Sequence, residues 1–171
     1  MFFTVAYTIM CLVFVLLLAV WLRAELGIKT KPLTAGWLWL AGAVGLEIVA
    51  GVVSMLFDPM RLGNVLLHAI GGGVVSTMLF FYLYDMFYVR TSWRLQAVLL
   101  FCFVATLGVL NELAEFAMEL AHFGIFSYDS QDTWRDFVAN TSGALLLWLL
   151  VRAGGYIACR TARRPAGRTI Q

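Results

Sequence analysis

An all-α polytopic membrane bundle of five transmembrane helices is what this sequence predicts, on three observations. Charged residues make up only 13% of the 171 residues and hydrophobic ones 62%, with a mean hydropathy of +0.87. A soluble domain carries about 25% charged residues, roughly twice as many. Five apolar runs approach the roughly 20 residues that cross a bilayer. The basic residues fall almost wholly on alternate connections of those runs, the pattern of positive-inside orientation. Together these exclude a soluble enzyme fold, a disulfide-stapled secreted domain and a disordered linker. A net charge of +2 gives no basis for nucleic-acid binding.

The first element covers about 3–22; with no basic leader before it and no small-residue cleavage site after it, it reads as a retained helix rather than a signal peptide. The others cover about 34–56, 65–88, 95–118 and 134–157. They form one five-helix domain over 1–158, followed by a basic, disordered tail over 159–171 that anionic lipid would attract. Arg23, Lys29, Lys31, Arg90, Arg94, Arg152, Arg160, Arg163, Arg164 and Arg168 share one side, leaving Arg61 and Arg135 on the other. The N-terminus is therefore expected outside and the C-terminus in the cytoplasm. Trp21, Trp37, Tyr88, Trp93, Tyr128 and Trp134 fall where headgroup-level anchors belong. Short connections make consecutive helices antiparallel neighbours.

Small residues four apart mark expected close contacts: Ala41 and Gly45, Ala69 and Gly73, Gly72 and Ser76, Ala139 and Gly143. Gly71, Gly72 and Gly73 lie within a span with no Lys-Ser/Thr after them, so they read as packing rather than a phosphate loop. Cys11 and Cys102 read as buried small hydrophobes and Cys159 as a tail residue.

The acids run against the cations. Glu47, Asp58, Glu112, Glu115, Glu119, Asp129, Asp132 and Asp136 gather toward the side that holds only Arg61 and Arg135. Three stripes at helical spacing reach that side: Asn64, His68 and Gly71 or Gly72; Glu112, Glu115, Glu119 and His122; Asp132, Asp136, Asn140 and Gly143. Each spans roughly 12 Å of depth at 1.5 Å per residue. A central intramembrane Asp costs about 2.5–3.5 kcal/mol on insertion scales, so these groups must meet partners, protons or a cation.

His68 with Glu112, Glu115 and Asp136 makes a plausible metal ligand set, with Asp132, Asn140 and Glu47 around it. Mixed imidazole and carboxylate ligands suit Zn, Mn or Fe; carboxylates alone suit Mg or Ca. Glu115 or Asp136 is the candidate general base, with nothing in the sequence to choose between them. Glu119-Leu-Ala-His122 spells a di-iron motif, but such bundles use it on two helices and this chain has it once. Three functions compete. One is a cation site, catalytic or not, serving a lipid-linked or envelope substrate. The second is a non-enzymatic accessory subunit or resistance factor. The third is a proton- or cation-coupled transporter using Glu47, Glu112 and Glu115.

Asn64-x-x-x-His68, then Asn-Glu-Leu-Ala-Glu at 111–115, then Asp132-Thr-Trp-Arg-Asp136-x-x-x-Asn140-x-x-Gly143-Ala resembles the VanZ-like and YjdF-like small bacterial membrane proteins over about 64–144. The resemblance implies a compact helical bundle with polar residues gathered at one membrane face. It also implies an envelope-associated or uncharacterised role in a bacterial inner (plasma) membrane and no defined reaction. Membrane lipids, a lipid-linked substrate or a partner membrane protein are the expected partners.

Overall fold

The computed structural model describes residues 2–26, 31–32, 34, 36–57, 62–87, 91–123 and 130–162. Lys29, Asp58, Arg61, Tyr88, Arg90, Tyr128, Asp129 and the basic stretch 163–171 lie outside the described residues, as do the side chains of Cys11, Cys159 and Arg160. Among the described residues all regular structure is helical: α1 Phe2–Leu26, α2 Trp37–Leu56, α3 Leu62–Met86, α4 Trp93–Leu120 and α5 Ser130–Ala162. Helix α5 thus runs on into the stretch expected to be tail. Four segments, Trp37–Leu56, Leu62–Met86, Trp93–Leu120 and Gln131–Tyr156, are long and apolar enough to cross a membrane.

Helix α3 is the central element, and the two apolar clusters lie on either side of it. On one side Val75, Leu79, Tyr82 and Met86 pack with Val15 and Ala19 of α1 and Ala43 of α2. On the other, Phe80 and Phe81 pack with Leu100 and Val104 of α4 and with Ala144 and Trp148 of α5. Residues such as Leu38, Ile48, Phe101, Leu113, Val138 and Leu146 point outward instead. This inversion of a soluble surface is what acyl chains as solvent allow.

Local signals explain the helix ends. Gly36 precedes α2 at φ 79°, a left-handed conformation that favours glycine. Ser92 caps α4, its hydroxyl accepting from the Leu95 N–H at 3.3 Å. At the far end of α4, His122 takes φ 61°. There the His122 N–H bonds the Glu119 carbonyl and the Phe123 N–H bonds the Met118 carbonyl, both at 3.0 Å. That is a Schellman stop built on histidine in place of glycine.

Helices α3 and α5 make the most extensive contact, and their small residues explain it. A Cβ on Gly143 would overlap the Ala69 carbonyl oxygen, and one on Gly73 would come within 2.9 Å of the Ala144 nitrogen. The backbones meet directly, as the spacing of Ala69 with Gly73 and Ala139 with Gly143 predicts. The same expectation fails in α2: Ala41 is exposed and Gly45 has nothing within 4 Å. Cys102 likewise proves exposed on the outer face of α4 rather than buried. In both cases the spacing or apolar context is right and the neighbouring helix lies on the other face.

At the end of the bundle remote from the acids, Gln96 is a buried node. Its carbonyl accepts from the Trp148 indole at 3.3 Å and from the Arg152 guanidinium, which also stands over the Trp148 ring. Gln96→Leu should leave the buried Trp148 indole unpaired and cost about 1–3 kcal/mol. The check is the thermal unfolding temperature in detergent; no decrease would show that the node is idle.

Candidate functional site

The site lies where the N-terminal turns of α3 and α5 meet the C-terminal turns of α4. Asn64 and His68 sit one turn apart on α3, and both turn toward Asp136 of α5. Asn64 Nδ2 donates to Asp136 Oδ1 at 3.0 Å, and His68 Nε2 stands 3.4 Å from Asp136 Oδ2. Both oxygens of this carboxylate therefore face α3, and both His68 and Asp136 are buried.

Helix α4 supplies the other carboxylates. Asn111 Nδ2 donates to Glu115 Oε1 at 2.7 Å, one turn away on the same helix. That spacing of four was visible in the sequence, but the pair was not read from it. The Thr133 hydroxyl is within hydrogen-bonding reach of Glu112. Glu112 Oε1 nonetheless is buried without a hydrogen-bond partner. Ligand-capable atoms of His68, Glu112 and Glu115 all lie within 4.8 Å of one another. At that separation two ionised carboxylates repel by about 3 kcal/mol in an effective dielectric of about 20. A shared proton or a compensating positive charge is called for, and Arg135 does not supply the latter: its guanidinium bonds Gln131 on the exposed face of α5.

The remaining sequence candidates surround this group at different distances. Asp132 is buried in the first turn of α5, where a helix dipole favours an acid. Asn140 is 3% exposed and lies beside His68, and its Oδ1 lacks a partner. Glu47 is buried and reaches α3 from α2, its carboxylate packed against Gly71. Glu119 is half-buried one turn beyond Glu115, and His122 is exposed past the end of the helix. The Glu119-x-x-His122 pair is therefore not an inward-facing di-iron half-site.

The glycine run has a use that its sequence context did not reveal. Residues His68–Val75 of α3 form a π-helix, wider than the α-helix on either side. Within it Gly71 makes room for the Glu47 carboxylate, Gly72 for the Asn140 amide, and Gly73 for the α5 backbone. The Thr77 hydroxyl donates to the Gly73 carbonyl at 2.9 Å, giving the widened turn an extra bond. Three glycines thus let two polar side chains and one helix backbone close on a single stretch of α3.

A cavity of about 290 Å³ adjoins the cluster between α4 and α5. Glu112, Glu115 and Thr133 form its polar end. Its apolar wall, absent from any sequence reading, depends on how two helices splay and has no local signal.

Among known proteins, a family described as "Predicted membrane protein (DUF2238)" matches residues 2–154. That match says nothing specific about the VanZ-like or YjdF-like proteins whose motifs this chain resembles. No curated protein and no solved structure matches. The matched span takes in His68, Glu112, Glu115, Asp136 and most of all five helices, and the chain belongs to the DUF2238 family of predicted membrane proteins.

Proposed function

We propose that this protein is a five-span integral membrane protein that binds a divalent cation beneath one membrane face. In this reading α1 is the fifth span, the N-terminus lies outside and the site occupies the outer half of a bacterial inner membrane. The carrying observation is the approach of His68, Glu112 and Glu115 within 4.8 Å around a buried, unpartnered Glu112 oxygen. One imidazole with two carboxylates suits Zn, Mn or Fe better than Mg. Asp136 acts through His68, the carboxylate–histidine pairing that orients metal ligands. Asp132, Asn140 and Glu47 complete the polar surroundings.

If the site is catalytic toward a lipid-linked or envelope substrate, Glu115 is the better base. It lines the cavity, whereas the Asp136 oxygens are taken up by Asn64 and His68. Transport has less support. Toward the opposite end, the fully buried residues Val15, Leu79, Tyr82 and Met86 form an apolar plug, and the Thr77 hydroxyl is spent on the Gly73 carbonyl.

Elemental analysis of protein purified without added metal tests the reading. Stoichiometric Zn, Mn or Fe that leaves on chelation is the expected result. Protein that stays metal-free after incubation with each ion would favour the accessory-subunit role, with the polar cluster serving helix packing alone.

A further inference from the structure

The cavity beside the carboxylates has a shape that cation binding alone does not require. Beyond its polar end it is walled by Val109, Leu113 and Phe116 of α4 and by Phe137 of α5. Val109, Leu113 and Phe116 are 47%, 57% and 58% exposed, so they belong to the outward apolar face of α4. Their spacing of four and three keeps them on one stripe of the helix. The cavity is therefore bounded in part by the same belt of side chains that meets acyl chains, and it lies between two spans. At about 290 Å³ it holds a headgroup but not a whole lipid.

The polar end sets the chemistry of the occupant. His68, Glu112 and Glu115 supply three ligands, which leaves a divalent cation at least one position for an outside donor. Mg²⁺ held by one or two carboxylates commonly fills such positions with phosphate oxygens, and Mn²⁺ shares its affinity for oxygen ligands. Glu112 and Glu115 together offset a divalent cation's two charges and His68 adds none, so the outside donor is called for by the open coordination position, and the apolar wall fits a donor that carries a hydrocarbon chain.

We infer that the site takes the phosphate headgroup of a membrane lipid, entering sideways between α4 and α5 with its chains along Leu113 and Phe116. This rests on the cation reading and names the ligand class of the same site. The experiment uses the full chain in maltoside micelles, which contain no phosphorus, loaded with Mn²⁺. Paramagnetic broadening of ³¹P resonances is compared for dihexanoyl phosphatidate and inorganic phosphate. The phosphatidate signal should broaden strongly and the inorganic phosphate signal little at equal concentration. Leu113→Trp, which fills the mouth from an exposed position, should abolish the phosphatidate broadening and keep the Mn²⁺ stoichiometry. Equal broadening of both phosphates would overturn the lipid assignment, as would Leu113→Trp protein that behaves like wild type. Stoichiometric Mn²⁺ without any phosphate broadening would sink this inference alone; failure to bind Mn²⁺, Zn²⁺ or Fe²⁺ would sink the cation reading with it.

Discussion

Gly143→Ala is expected to destabilise the folded bundle strongly, although it adds a single methyl group to a helix. The new Cβ would overlap the Ala69 carbonyl oxygen and approach the Ala69 carbonyl carbon to 2.9 Å. Both are backbone atoms, so no rotamer change relieves the clash. Ala69 lies in the π-helical segment of α3, and the same segment presses Gly73 against α5 one turn further on. Relief therefore requires the two helices to separate along their whole crossing. Overpacking typically costs about 1–3 kcal/mol when side chains can shift, and a rigid backbone contact puts this variant at or above the upper end. A domain stable by only about 5–15 kcal/mol loses a large share of its margin. Gly154→Ala is the matched control, since nothing lies within 4 Å of its Cβ. Replacing a glycine inside a helix there should stabilise by about 0.5–1 kcal/mol. Monodisperse yield and unfolding temperature in detergent read both variants. Wild-type stability for Gly143→Ala would show that α3 and α5 do not cross this closely.

The contrast between these two glycines marks where sequence reading succeeds and where it stops. Helix positions follow from apolar length, and the five expected runs lie inside or nearly inside α1 to α5, because a bilayer-sized apolar stretch has few alternatives. The polar stripes were legible for a related reason: helical spacing of three and four fixes which side chains share a face. It brought His68, Glu112 and Glu115 forward as a group before any coordinates. Spacing does not say which face meets which neighbour. Ala41 and Gly45 have the same pattern as Ala69 and Gly73, and only the second pair is at a crossing. The π-helix over His68–Val75 was hidden as well, since its register is set by what must fit against Gly71, Gly72 and Gly73 from two other helices. The Gln96, Trp148 and Arg152 node joins residues 52 and 56 positions apart and has no local signature. Nor did the sequence decide that Asp136 would face Asn64 and His68 from across the α3–α5 crossing while Glu115 turned to the cavity.

His68→Ala should remove cation binding, and the two histidines of the chain provide an internal comparison. His68 is buried within ligand distance of Glu112 and Glu115, whereas His122 is exposed at φ 61° beyond the end of α4. His122→Gly should therefore retain the bound cation, and it should gain about 1 kcal/mol because glycine adopts that φ without strain. Asp136→Asn falls between them. The amide still fills the space beside His68 and Asn64 but loses the charge facing Nε2, and loss of such an outer partner costs about 10–100-fold in metal affinity. The order of affinities is thus wild type and His122→Gly, then Asp136→Asn, then His68→Ala with none measurable. Stability must follow the same order only when metal is present. A cation at about 100 times its dissociation constant stabilises the folded state by about 2.7 kcal/mol, and chelation removes that increment. His68→Ala should accordingly unfold at one temperature with or without a chelator, while wild type shifts. If all four proteins ignore the chelator and His68→Ala and Asp136→Asn are equally destabilised, the imidazole and carboxylate serve only to hold α3 against α5.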